Sequence, residues 1–335
     1  MERLAPARAF IAQPRRFGYR DRMDIKSAQD VGERVELSPF EQLRWTVDGL
    51  TVAGMAWGPA DGHPVLALHG WLDNAASFEV LAPMLEGCRV VSLDLTGHGL
   101  SDHRSDDAAY LLWDDIPQLL KVIEQLGWPR CTLLGHSRGA MIATLMAAVM
   151  PDHVDALITL DGLVPSPQDD AHFVHQMHDS LRYTARIARQ AQRRFSSLED
   201  FIERRQRYGV SRDIAARLAS RAVEETADGF VLLNDQRLHS PSAIKLNARQ
   251  IEAALRALSV PILTIWAREG LLTRDWDLDI AALAETAIGD LTSVSVDGHH
   301  HFHMEPGPAA EIAGHILDFI ARLDKGGAEA APAAP

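Results

Sequence analysis

Cysteine is scarce in this chain of 335 residues, which carries two, Cys88 and Cys131. Both stand in apolar runs, CRVVSLDL and CTLLGH, where a thiol behaves as a small hydrophobe. That usage excludes a secreted disulfide framework and points to a reducing, cytoplasmic setting. Long hydrophobic runs are also missing: none reaches the roughly 18–20 residues that a membrane span requires. Positive charge is in deficit, with 33 Lys and Arg against 46 Asp and Glu and a formal net charge of -13. Such a surface repels a phosphate backbone, so nucleic acid is a poor partner. The length is ample for a core that needs no metal or disulfide staple. The arginine-rich start, MERLAPARAFIAQPRRFGYRDR, has no apolar centre and reads as a mobile arm over 1–34 rather than a secretory leader. The Gly/Ala/Pro-rich tail, 325–335, is expected to be disordered.

What is present is an alternation. Residues 44–57 switch between polar and apolar around Asp48-Gly49, the signature of an antiparallel hairpin. Short apolar runs then recur at 65–68, 89–93, 131–134, 156–160, 262–266 and 291–296, as in strands buried on both faces of a parallel sheet. Helical patterns fall at 77–85, 108–126, 138–150, 276–288 and 308–323. The order predicts an α/β fold with a mostly parallel sheet and helices on both faces. Between 163 and 257 the rhythm stops. That stretch shows helical segments and no convincing strand, and over 163–250 it carries 14 Lys and Arg against 11 Asp and Glu. It is expected to be a helical insertion, with 35–162 and 258–324 forming the core.

The strongest chemical signal is Leu133-Leu134-Gly135-His136-Ser137-Arg138-Gly139-Ala140, a buried strand running through G-x-S-x-G into a helix. A strand-to-helix turn this sharp needs small residues two before and two after the serine, and it lifts the Ser137 hydroxyl out at the carboxyl end of the sheet. The helix N-terminus beneath favours negative charge developing at an attacked carbonyl. Acyl transfer also needs two donors aimed at the oxyanion. The backbone N–H of Arg138 is one candidate, and that of Trp71, after His69-Gly70 at the end of the first parallel run, is the other. The Arg138 side chain could orient an anionic substrate, and Trp71, Phe78 and His98 are candidate pocket or cleft residues.

HGWLDNAASF, LDLTGHGLSDH and LLGHSRGA together resemble the α/β-hydrolase superfamily, and HGWLDNAASF in particular resembles the serine hydrolase-like group. The likeness spans roughly residues 57–323. It implies the α/β-hydrolase fold, with a helical cap at 163–257 inserted after the strand ending near Leu160. A general base is required on a late loop, and Gly298-His299-His300-His301-Phe302-His303-Met304-Glu305 offers four histidines. A metal site is not expected there: consecutive side chains in an extended loop diverge, and no Cys or carboxylate stands at ligand spacing. Alignment with the superfamily's G-x-H-x-x-H-[LM]-E wording implies His300 as the base, with His301 as the alternate.

The acid departs from the common pattern. The loop after the penultimate strand usually carries it, but Ala267-Arg268-Glu269-Gly270 puts glycine at the aspartate position and Glu269 one residue early. The superfamily's second location, after the strand that follows the nucleophile helix, holds Asp161. Asp161 is preferred for its placement, and Glu269 stands on the more usual strand. The resemblance implies a serine hydrolase without metal or cofactor, acting on a small-molecule carboxylester, thioester or lactone. The alternatives are a hydrolase of activated carbon–carbon bonds and a hydrolase-fold protein that binds a small ligand with little turnover. Dehalogenases of this fold carry aspartate where this chain has Ser137. Oligomeric state is not legible in the sequence.

Overall fold

A computed structural model of the chain describes residues 39–187 and 190–330, so the expected N-terminal arm and residues 331–335 lie outside the described residues. The chain begins with a hairpin, β1 (Glu41–Val47) and β2 (Leu50–Trp57), turning at Asp48-Gly49. Both turn residues have positive φ, 53° and 80°, as a tight two-residue hairpin loop demands. Then follow β3 (His63–Leu68), β4 (Cys88–Leu93), α1 (Ile116–Leu126), β5 (Cys131–His136), α2 (Arg138–Val149) and β6 (Val154–Leu160). The insertion contains α3 (Phe173–Ile187), β7 (Arg194–Phe195), α4 (Leu198–Gln206), α5 (Arg212–Ala222), β8 (Val223–Thr226), β9 (Gly229–Leu232) and α6 (Ala248–Arg256). The chain closes with β10 (Ile262–Glu269), α7 (Asp275–Ala287), β11 (Leu291–His299) and α8 (Pro306–Ala330).

Eight strands form one sheet in the order β1-β2-β4-β3-β5-β6-β10-β11, parallel from β4 to β11. Alternate side chains feed two separate cores. Leu66, Leu68, Val91, Leu133 and Leu157 pack beneath α1, α2 and α7, while Val65, Ala67, Val90, Leu134 and Ile158 pack beneath α8. This two-sided burial is why the strands read as continuous apolar runs. β4 and β5 lie on opposite sides of β3, so the loops leaving β3 and β5 diverge and open a crevice at their carboxyl ends.

The architecture departs from the sequence pattern in four places. The helix expected at 77–85 is two 3₁₀ turns, Ala75–Phe78 and Ala82–Met84, because Pro83 cannot donate within a continuous helix. The helix expected from residue 108 begins at Ile116, with Pro117 in the first turn where its missing N–H costs nothing. The insertion is not strandless: β7, β9 and β8 form a small antiparallel sheet, too short to leave a period in the sequence. α8 runs past Leu323 to Ala330, so residues 325–330 of the expected disordered tail are helical. Within the insertion, α6 packs against α2 and α7 through Ile251 and Leu255, and so belongs to the layer covering the sheet.

The insertion is anchored by buried charge. Arg221 on α5 reaches down to Asp94 at the end of β4, with Nη2–Oδ2 at 2.6 Å, and both side chains are buried. The Asp94 carboxylate also accepts the backbone N–H groups of Ala75 (2.7 Å) and Leu100 (2.8 Å). Breaking a buried pair leaves an uncompensated charge, so Arg221→Met should lower unfolding free energy by about 3–5 kcal/mol in urea denaturation. Disrupting the exposed Arg212–Glu199 pair should leave the midpoint nearly unchanged.

Candidate active site

Ser137 sits between β5 and α2 with φ 51° and ψ -116°, a conformation costly for a side-chain-bearing residue and held by its surroundings. Its N–H donates to the Leu160 carbonyl at 3.0 Å. The flanking glycines are sterically required. A Cβ at Gly139 would stand 2.0 Å from the Leu68 carbonyl oxygen, and one at Gly135 would stand 2.5 Å from the Ala140 backbone. The same closeness sets the start of α2 against the end of β3.

Asp161 follows β6, also at positive φ (41°), and its carboxylate is fully buried. Oδ1 accepts the N–H of Ala267 (3.2 Å), and the Leu271 N–H reaches both oxygens, at 3.2 Å to Oδ1 and 3.0 Å to Oδ2. Oδ2 takes His300 Nδ1–H at 2.6 Å. On the far side of that ring, His300 Nε2 is 3.0 Å from Ser137 Oγ. A carboxylate only accepts, so the imidazole proton is on Nδ1 and Nε2 offers a lone pair to the serine hydroxyl. The geometry thus links Asp161, His300 and Ser137 in one hydrogen-bonded chain.

Glu269 takes no part in it. Its side chain is 67% exposed and faces His299 at 3.5 Å. The reason for the glycine next to it is visible: a Cβ on Gly270 would lie 2.3 Å from Asp161 Oδ2. The ground beside the position where the common pattern carries its aspartate is filled by a carboxylate reaching across from β6.

The remaining candidates divide. Trp71 is 50% exposed, donating from Nε1 to the Leu238 carbonyl (2.8 Å) and meeting His239 edge-to-face, so it braces the insertion. Phe78 is buried in the core against His303, and His98 is buried beside His69 rather than open to the cleft. The Arg138 guanidinium pairs with Asp115 at 3.2 Å, and Asp115 also binds Arg104 at 3.0 Å. Three arginines of the insertion are likewise engaged, Arg205 with Asp73, Arg221 with Asp94 and Arg237 with Asp235.

His301 turns away from Ser137 and donates from Nε2 to Asp73 Oδ2 at 3.1 Å. Around it lies a group that sequence reasoning missed: Asp73, His136, His303 and Arg205. His136 packs against His300, His301 and His303 with ring centres 4.7, 5.1 and 4.2 Å apart. Burial, reinforced by these imidazoles, holds His136 well below the usual histidine range; burial does the same to His303 and His98. Burial alone would raise Asp73, but His301 and Arg205 outweigh it and keep its carboxyl well below the usual range. Asp73 could have been found from the HGWLDN wording; Arg205, on α4, left no signal.

A family model described as alpha/beta hydrolase fold matches residues 63–306. The chain is 31% identical over 290 residues to a serine hydrolase-like protein of Danio rerio, covering 83% of this chain and 88% of that one. It is also 31% identical over 300 residues to serine hydrolase-like protein 2 of Homo sapiens, covering 83% and 94%. Among solved structures, a hypothetical protein of Pseudomonas aeruginosa superposes with a TM-score of 0.79 at 36% identity, over 84% of this chain and 99% of that one. A thioesterase domain from the curacin biosynthetic pathway superposes with a TM-score of 0.71 at 25% identity, over 84% and 100%.

Proposed function

The chain belongs to the α/β-hydrolase fold family, and from that premise we propose that it is a serine hydrolase of small-molecule carboxylesters, working through an acyl-enzyme on Ser137. The observation that carries the reading is the Asp161–His300–Ser137 chain, with links of 2.6 and 3.0 Å. His300 Nε2 accepts the hydroxyl proton as Oγ attacks the acyl carbon, and the carbonyl π pair moves onto oxygen. The Trp71 and Arg138 amides receive that oxyanion, each such donor being worth roughly 3–4 kcal/mol in the transition state. As the carbonyl re-forms, the bond to the leaving alkoxide breaks and His300 delivers its proton there. Water, deprotonated by the same nitrogen, then attacks the acyl-enzyme and releases the acid, returning the proton to Ser137.

Thioester and lactone are the neighbouring bond types, and the likeness to a thioesterase domain supports the first. The part of the insertion before α6 serves as the cap over the crevice. Its inward arginines are consumed in docking it, which argues against a substrate selected by anionic charge at those positions. Among the described residues no helix is long and apolar enough to cross a membrane. The buried thiols favour a reducing compartment, the cytoplasm.

A fluorophosphonate probe tests the reading directly. Wild-type protein should label stoichiometrically and Ser137→Ala should not label at all. Folded wild type that stays unlabelled would instead favour a ligand-binding protein with little turnover. A series of p-nitrophenyl esters of increasing acyl length then reads the depth of the pocket.

A further inference from the structure

Beside the proposed catalytic chain lies a set of ligating atoms that the reaction leaves unused. We propose that Asp73, His136 and His301 form a binding site for a divalent transition-metal ion of the zinc class. His136 Nε2 faces the His300 carbonyl oxygen at 2.8 Å. A carbonyl only accepts, so that nitrogen carries the ring proton and Nδ1 is a lone pair. This Nδ1 is buried, has no hydrogen-bond partner in the protein, and faces Asp73 Oδ2 at 3.9 Å. Two electron-rich atoms directed at one another in a dry interior are costly, and a cation shared between them removes the cost.

The third ligand is His301 Nε2, 3.1 Å from the same Oδ2, and the three atoms all lie within 4.8 Å of one another. Zinc–ligand bonds of about 2.0–2.2 Å let one ion span separations of about 4 Å, so small side-chain rotations complete the set. The ground between the ligands is kept clear by Gly70, where a Cβ would lie 3.0 Å from His136 Nδ1 and 3.1 Å from Asp73 Oδ2. Arg205 Nη2 holds the other carboxylate oxygen, Oδ1, at 2.7 Å, fixing Oδ2 toward the imidazoles as outer partners of metal ligands do. Two imidazoles and one carboxylate suit zinc, nickel or copper, not magnesium or calcium. His301, 15% exposed, gives the ion its route in and exchanges its Nε2 proton for the metal.

The sequence argued against a metal because no Cys or carboxylate stood at ligand spacing from the histidine run. The fold supplies one from the loop after β3, more than 200 positions away in the chain.

Equilibrium dialysis of the full chain against Zn²⁺, with the visible spectrum of bound Co²⁺ as a second readout, tests the site without reference to turnover. Wild type and the catalytically silent Ser137→Ala should each bind one equivalent, released by chelator. Asp73→Asn and His301→Gln should each weaken binding at least about tenfold, with folding checked by circular dichroism. His301→Gln alters a partly exposed side chain and keeps the test decisive if Asp73→Asn folds poorly. His175→Ala, which breaks the exposed His175–Asp179 pair on α3, should leave the equivalent in place. Unchanged affinity in folded His301→Gln, loss of the bound equivalent in His175→Ala or Ser137→Ala, or no stoichiometric binding by wild type would each overturn the proposal.

Discussion

Asp161→Asn is expected to lower kcat by up to about 10⁴-fold, by analogy with the aspartate of other triads, whereas Glu269→Gln should stay close to wild type. The difference follows from where the hydrogen bonds go. Both Asp161 oxygens are in use: Oδ1 receives Ala267 N–H, Leu271 N–H spans the pair, and Oδ2 receives His300 Nδ1–H. An asparagine has one acceptor oxygen. If it satisfies the buried backbone donors, its NH₂ faces His300 and forces Nδ1 to accept. The ring proton then sits on Nε2, opposite Ser137 Oγ, and the base cannot take the serine proton. If the amide turns the other way, two buried N–H groups meet a donor, which is costly in its own right. The measurement is the rate of fluorophosphonate labelling alongside kcat on a p-nitrophenyl ester, with thermal melting to confirm folding. Equal, mild losses in both variants would remove Asp161 from its role.

This acid shows what the sequence could and could not carry. Ser137 was legible because a strand, a sharp turn and a helix are consecutive, and Gly135 and Gly139 are demanded by contacts a few residues away or by the adjoining strand end. The core strands were legible because each is apolar on both faces. For the acid, two carboxylates stood at ends of neighbouring strands, and choosing between them required knowing which one points inward. Gly270 held the answer in disguise. Read along the chain it is a missing aspartate; in space it is the clearance for Asp161. The cluster of Asp73, His136, His301 and Arg205 joins the loop after β3, the end of β5, the loop after β11 and helix α4, so no window of sequence contains it. Nor could charge counting foresee that two of the insertion's arginines, Arg205 and Arg221, face carboxylates of the core, where they fasten it down.

Stability should fall steeply as pH drops below about 6.5, and the buried histidines fix the sign. His98, His136 and His303 are buried and held well below their ordinary range by burial first and by neighbouring imidazoles next. In the unfolded chain they titrate near 6.5. Below that value the unfolded state binds more protons than the folded one, so stability is complete above the unfolded-state value and is lost as pH falls beneath it. Each group contributes a slope approaching about 1.4 kcal/mol per pH unit. Three groups held neutral in the fold therefore remove a large share of a stability of about 5–15 kcal/mol as pH falls below their unfolded-state value. Asp73 acts in the same direction at lower pH. Its depressed carboxyl stabilises the fold above the ordinary aspartate range, and that contribution fades as pH falls through its folded-state value. Urea midpoints measured from pH 7.5 to pH 5 should show the decline. His98→Asn, which keeps a donor for the Thr96 carbonyl, should flatten it by about one proton's worth of slope. A midpoint that holds level from pH 7 to pH 5.5 would mean that these imidazoles accept protons without leaving the fold.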